Sequence, residues 1–108
     1  SQLEAIEEEM VNYYRSVYGD SIDTIILYGS YARGDYSDDS DIDITAIVRG
    51  NRVELQKKLK KMWDFSTEVG LAYDVIVSPT VIPYDEFEQY KEKLPYYRNI
   101  VKEGRKIG

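Results

Sequence analysis

Apolar positions recur every three or four residues at Leu3, Ile6, Met10, Val11, Tyr14 and Val17, which predicts an amphipathic helix over 3–18. Glu4, Glu7, Glu8 and Glu9 crowd its first turns, where they complement the helix dipole and form a solvated face. Gly19-Asp20-Ser21 ends it. The pattern then changes to a short apolar run, and a first strand is expected over 22–28. Gly29 permits a sharp turn, and Ser30 is expected to cap a short helix that runs through Arg33 and closes at Gly34. A second strand follows over 42–48. Its alternation assigns Ile42, Ile44, Ala46 and Val48 to a core face and leaves Asp41 and Asp43 together on the other.

Arg49-Gly50-Asn51 turns the chain into a second long helix over about 51–68, with Val53, Leu55, Leu59, Met62, Trp63 and Phe65 as its apolar positions. Lys57, Lys58, Lys60 and Lys61 read as its solvated side. Gly70 is expected to end it, and Ala72 to Ser78 reads as a third strand, with Tyr73, Val75 and Val77 on one face and Asp74 on the other. Pro83 opens a helix containing Phe87, Tyr90 and Leu94. Pro95 opens a last one, with Tyr96, Tyr97, Ile100 and Val101 on one face and Gly104 at its C-terminal cap.

The short link between the first two strands suits an antiparallel pair, and the long helical crossover to the third suits a parallel one. The fold class is therefore α/β (α+β), with a small mixed sheet of about three strands packed by helices. At 108 residues the chain reads as one domain, 1–108, and 43% hydrophobic content suits a globular core. No apolar run is long enough to span a bilayer, and the acidic start is unlike a secretory signal, so a cytoplasmic protein that does not engage membranes is expected.

Cys and His are both absent. Disulfide frameworks, Cys/His zinc sites, thiol nucleophiles and Ser-His-Asp triads are thereby excluded. Any metal must be held by oxygen, which favours Mg²⁺, Mn²⁺ or Ca²⁺. The net charge of −6 repels phosphate backbones and argues against a stand-alone nucleic-acid binder.

The chemistry concentrates in residues 29–43. Asp41 and Asp43 place two like charges side by side, an arrangement that a bound cation relieves. The expected topology gathers Ser30, Asp41, Asp43 and Asp74 at one edge of the sheet. A helix N-terminus at Ser30 would suit an anion, with Arg33 adding charge nearby. Two rival motifs fail. Gly29 to Gly34 has the glycine spacing of a P-loop, but Asp35 stands where its Lys belongs. Asp39, Asp41 and Asp43 match the first ligands of an EF-hand, but Ile44 takes the place of its Gly and Gly50 that of its Glu. Asp35, Asp38 and Asp39 read as turn-forming and solubilising.

A Gly-Ser turn, about ten residues, an Asp-x-Asp and a later carboxylate resemble the signature of the DNA polymerase β-like nucleotidyltransferases. Gly29-Ser30, Asp41-Ile42-Asp43 and Asp74 fill those places. The resemblance covers most of the chain and is nearest to the minimal nucleotidyltransferases, small proteins often encoded beside a HEPN partner in toxin–antitoxin pairs. It implies a polymerase β palm-like fold, ATP as substrate with its terminal phosphates on Gly29, Ser30 and Arg33, and two Mg²⁺ ions, or Mn²⁺, on Asp41, Asp43 and Asp74. It further implies transfer of a nucleoside monophosphate, AMP above all, to an acceptor hydroxyl on a HEPN-type protein, with release of pyrophosphate. Larger relatives carry an added domain that grips base or acceptor. This chain has at most a helical tail, so a partner or a second copy would complete the pocket. The alternative is a non-catalytic antitoxin that masks its partner. A polymerase-type enzyme acting on RNA ends is disfavoured by size and charge.

Overall fold

The computed structural model describes residues 1–108. In chain order it contains α1 (Gln2–Tyr18), β1 (Ile22–Tyr28), α2 (Ser30–Arg33), β2 (Ile42–Val48), α3 (Arg52–Tyr73), β3 (Val77–Pro83), α4 (Tyr84–Tyr90), α5 (Pro95–Glu103) and β4 (Arg105–Lys106). A single 3₁₀ turn, Gly19–Ser21, links α1 to β1. The strands form one sheet in the order β3-β2-β1-β4. β1 is antiparallel to β2 and to β4, and β2 is parallel to β3, as the link lengths predict. The sheet therefore has four strands rather than about three. The fourth is two residues long, and Arg-Lys carries no strand signal of its own.

Each face of the sheet has its own core. Ile42, Ile44, Ala46 and Val48 of β2 join Ile25 and Leu27 of β1 and Val77 and Val81 of β3 beneath α1 and α3. On the opposite face Ile47 and Ile82 pack with Phe87 of α4 and with Tyr97 and Ile100 of α5. This smaller core seals only one end of that face. Tyr14 ties α1 to the sheet: fully buried, its hydroxyl donates to the carbonyl of Thr80 at 2.8 Å, with a longer contact of 3.2 Å to that of Ile44. Two proton acceptors compete for one hydroxyl hydrogen, and the shorter contact is the bond. Burial pushes the Tyr14 hydroxyl well above its ordinary range.

Several expectations are corrected. α3 does not stop near residue 68. It passes through Gly70 and ends at Asp74, its C-cap, which adopts a left-handed conformation (φ 57°, ψ 48°). Gly70 is inside the helix because the chain returns tightly past it: a Cβ there would lie 2.5 Å from the carbonyl oxygen of Val75. The third strand accordingly begins at Val77 rather than Ala72, and Asp74 precedes it instead of lying in it. Pro79 and Pro83 are tolerated because β3 is an edge strand. The buried stripe of α3 is Leu55, Leu59, Met62, Ser66, Val69 and Gly70, while Val53 and Trp63 are exposed. In α5 only Tyr97 and Ile100 are buried; Tyr96 and Val101 face out, and Leu94 is the N-cap of that helix rather than part of α4.

Candidate active site

The site lies on the open end of the second sheet face. β1 delivers Tyr28 to the Gly29 turn, and Tyr28 pairs in register with Asp43 at the head of β2. Gly29 has φ 74° and ψ −157°, a conformation essentially confined to glycine. A Cβ there would lie 2.5 Å from Oδ2 of Asp43. Turn and carboxylate are thus fitted against each other, and a side chain at residue 29 would displace the acid.

Ser30 is the first residue of α2, not its cap. The cap position belongs to Gly29, and no side chain caps this helix. The Ser30 carbonyl accepts from the amides of Gly34 and Asp35. Arg33 stands at the end of α2 and bonds Asp35 and Glu103, each at 3.2 Å. Tyr31 and Tyr36 stack across the following loop with centroids 4.2 Å apart.

Asp41 and Asp43 are half-buried neighbours. Burial raises the Asp43 carboxyl above its ordinary value, the Asp41 charge raises it further, and Arg33 partly offsets both. Two oxygen donors held at this electrostatic penalty suit a divalent cation, so the pair fits the metal that the family motif implies. The third carboxylate does not join them. Asp74 is exposed at the end of α3, and no three acidic side chains in the structure come together as a metal cage. The β3 residue in register with Asp43 is Ser78, whose hydroxyl donates to Oδ2 of Asp41 at 3.4 Å.

Two further residues belong to this face. The sequence pattern sets Ser78 at the end of a strand centred too early. Once β3 is placed at Val77–Pro83, alternation sets Ser78 beside the acids. Thr45 follows Asp43 by two residues on the same side of β2. It is fully buried, and its hydroxyl oxygen is the one buried side-chain polar atom without a hydrogen-bond partner. The alternation of β2 contained that signal, but nothing in the sequence shows that Thr45 is unpartnered. Tyr28 and Tyr96 border the face, their hydroxyls 2.9 Å apart. Burial pushes the Tyr28 hydroxyl beyond its ordinary range, and the Tyr96 bond and the Asp43 charge act the same way.

The chain is similar to known proteins in sequence and in fold. The model of the nucleotidyltransferase domain family matches residues 6–107. A provisionally named protein adenylyltransferase of Methanocaldococcus jannaschii is 37% identical over 98 residues, covering 91% of this chain and 90% of its own. A second protein of that organism, with the same provisional name, is 32% identical over 97 residues, covering 82% of this chain and 96% of its own. Among solved structures, a chain of a toxin–antitoxin crystallised with AMP-PNP superposes with a TM-score of 0.56 at 17% identity, covering 94% of this chain and 72% of that one. A chain from the tri-AMPylated Shewanella oneidensis HEPN toxin in complex with its MNT antitoxin does so with a TM-score of 0.50 at 15% identity, covering 97% and 71%. At those identities the structural likeness concerns the fold. The family match and the two curated relatives, together with the Gly29 turn fitted to Asp43, settle the assignment: this chain is a nucleotidyltransferase and belongs to the nucleotidyltransferase domain family.

Proposed function

We propose that this nucleotidyltransferase moves AMP from ATP to a hydroxyl of a partner protein of the HEPN type, and that it acts as the antitoxin of that pair. The observation that carries the reading is the contact between Gly29 and Asp43, which brings the phosphate-binding turn and the carboxylate pair to one point. The provisional names of the two relatives support protein adenylylation, and the solved neighbours supply the toxin–antitoxin setting and the nucleotide.

In this mechanism the terminal phosphates of ATP lie on the Gly29-Ser30 turn and accept hydrogen bonds from its backbone amides and the Ser30 hydroxyl. Arg33, already shared between Asp35 and Glu103, lends its charge from the end of α2. Asp41 and Asp43 would hold Mg²⁺, or Mn²⁺, which when bound neutralises the triphosphate and acidifies the acceptor hydroxyl. Ser78 orients Asp41 from β3. The acceptor oxygen attacks the α-phosphorus in line, the bond to the β-phosphate oxygen breaks, pyrophosphate leaves, and the hydroxyl proton passes to water at the half-exposed mouth. Catalysis is then positioning and charge neutralisation. Asp74, expected to be a third metal ligand, is left out of this mechanism because it is exposed at the end of α3.

The second reading is a masking antitoxin without activity. It is favoured by the two-carboxylate set, in which Ser78 occupies the β3 place beside Asp43. One experiment separates the two. The protein is incubated with Mg²⁺, ATP labelled at the α-phosphate and a candidate HEPN partner, with γ-labelled ATP and Asp43→Asn as controls. Label on the partner from the α position alone, lost in the variant, is expected. A partner that stays unlabelled yet is neutralised equally by the variant would establish masking.

A further inference from the structure

On the α3 side of the sheet, at the end where β2 and β3 begin, lies a groove of about 480 Å³ that the mechanism above leaves unused. Its apolar lining includes Trp63, Leu71 and Ile76, which are 44%, 81% and 61% exposed. Side chains of this size lying open within one groove mark an interaction surface more than scattered surface residues do. Its acidic lining is Asp38, Asp39 and Asp74. None of these three makes an ion pair within the chain, although Asp35 in the same loop does. No Lys or Arg lines the groove, and the whole molecule carries −6.

The groove and the active site draw on neighbouring residues of the same two strand ends. Ser40 lines it and precedes Asp41; Val77 lines it and precedes Ser78, which bonds Asp41. Alternation turns Val77 and Ser78 to opposite faces of β3, so a chain lying in the groove reaches the acids around the edge where β2 and β3 begin. The tight return at Gly70, where the amides of Asp74 and Val75 both bond the Gly70 carbonyl, fixes the wall that carries Asp74 and Ile76.

We infer that this groove receives the acceptor polypeptide, through a segment that sets an aliphatic or aromatic side chain against Trp63, Leu71 and Ile76 and a flanking Lys or Arg against Asp38, Asp39 and Asp74. Charge complementarity selects this occupant: three unneutralised carboxylates repel an acidic segment and a nucleic acid alike, and favour a basic one. The apolar floor supplies the burial that charge at an exposed rim does not. The assignment of the bound segment as acceptor rests on the function proposed above. The existence of the site for a basic, apolar segment does not.

Trp63 is the sole tryptophan, so its emission reports occupancy directly. The probe is a capped peptide, Gly-Lys-Leu-Arg-Tyr-Lys-Gly, with a counterpart in which Glu replaces each Lys and Arg, titrated to 1 mM without nucleotide. The basic peptide is expected to shift Trp63 emission saturably and the acidic one to leave it unmoved. Asp38→Asn with Asp39→Asn should weaken binding about fivefold to tenfold, each exposed charge contributing a few-fold. Leu71→Ser should weaken it further, and both variants should keep the far-ultraviolet dichroism of the parent. In the labelled-ATP assay the Asp38→Asn, Asp39→Asn protein should raise the KM for the acceptor about fivefold with kcat held. Emission unmoved by the basic peptide, or moved equally by both, overturns the site. So does a sedimentation shift showing that the groove is filled by a second copy, abolished by Leu71→Ser. An unchanged acceptor KM overturns the acceptor assignment. Absence of any label transfer while the peptide still binds refutes the proposed function and leaves the groove standing.

Discussion

Gly29→Ala tests the fit on which the site is built, and Gly34→Ala is its internal control. Both residues have positive φ, 74° and 86°. At Gly34 a Cβ would meet nothing within 4 Å, so alanine there carries only the left-handed penalty, about 1–2 kcal/mol. At Gly29 the backbone lies in a region costing about 1–3 kcal/mol for a side chain. The added carbon would also lie 2.5 Å from Oδ2 of Asp43. The carboxylate must swing away, and leaving its rotamer costs about 0.5–1.5 kcal/mol more. Gly29→Ala should therefore lose about 2–4 kcal/mol in urea unfolding, against about 1–2 kcal/mol for Gly34→Ala. At about 4–8 °C per kcal/mol the two Tm values should separate by about 5–15 °C. Nucleotidyl transfer should fall about 100-fold in Gly29→Ala, the scale of a 1 Å misplacement of a reacting group. A double-mutant cycle isolates the contact. In an Asp43→Ala background the oxygen is gone and the nearest remaining atom of residue 43 is its Cβ at 3.6 Å. The Gly29→Ala loss should shrink there by about 0.5–1.5 kcal/mol. Equal losses at Gly29 and Gly34, or a coupling of zero, would refute the reasoning.

Asp43→Asn should stabilise the metal-free protein by about 0.5–2 kcal/mol at neutral pH while abolishing transfer, as substitutions at strained functional positions do; calorimetry with and without Mg²⁺ checks it, since only the parent should gain Tm from the ion. The same acid sets a pH signature: its raised carboxyl means that the folded state binds the proton more tightly, so its contribution to stability is lost as pH rises through the folded value and regained on acidification towards about 4. Urea midpoints across that range should show this slope in the parent and not in Asp43→Asn. Glu86, lowered by the Tyr97 hydroxyl and by Arg52, acts oppositely and loses its stabilisation as pH falls through its folded value. Tyr14→Phe should lose about 1–2 kcal/mol in urea unfolding, the bond to the Thr80 carbonyl being removed inside a closed core. Gly70→Ala separates propensity from contact: helix propensity alone predicts a gain of about 1 kcal/mol, whereas the approach to the Val75 carbonyl predicts a net loss of about 1–3 kcal/mol in the same assay.

The parts of the fold legible in the sequence are those where one periodicity acts alone. β1 and β2 carry clean apolar runs between glycine turns, and their bounds agree with the structure. α1 follows for the same reason, and the short α2 follows from the turn and stop at its ends, although its cap is Gly29 rather than Ser30. Legibility fails where tertiary contact overrules the local signal. Gly70 looks like a terminator and is a close-packing residue. Asp74 looks like a strand acid and is a left-handed cap, a conformation that Asp tolerates better than most residues. That misplacement moved β3 by several residues and hid Ser78. β4 holds its place through pairing with β1, which no two-residue window can reveal. At the site, the motif located the Gly29 turn and the Asp41–Asp43 pair, and alternation showed that the pair shares a face. The approach of Gly29 to Asp43 and the unpartnered Thr45 depend on side-chain packing.

β2 joins the protein's stability to its chemistry. Its alternate residues Ile42, Ile44, Ala46 and Val48 anchor the larger core, and their neighbours Asp41 and Asp43 line the open end of the other face, with Thr45 buried behind them. A one-residue slip of β2 would exchange the two sets, burying the acids and exposing the isoleucines, so the core itself enforces the register that presents the carboxylates. The same arrangement explains why α4 and α5 stop short. They seal the face at Ile47 and Ile82, where alternation yields apolar residues, and leave it open from Asp43 outward, where it yields acidic ones. Extending that cover would bury Asp43 beside Asp41 with no cation to neutralise them, at a cost of several kcal/mol. The open half-face is therefore the arrangement that a strand with a two-residue period imposes when one of its faces must carry both a core and a pair of like charges.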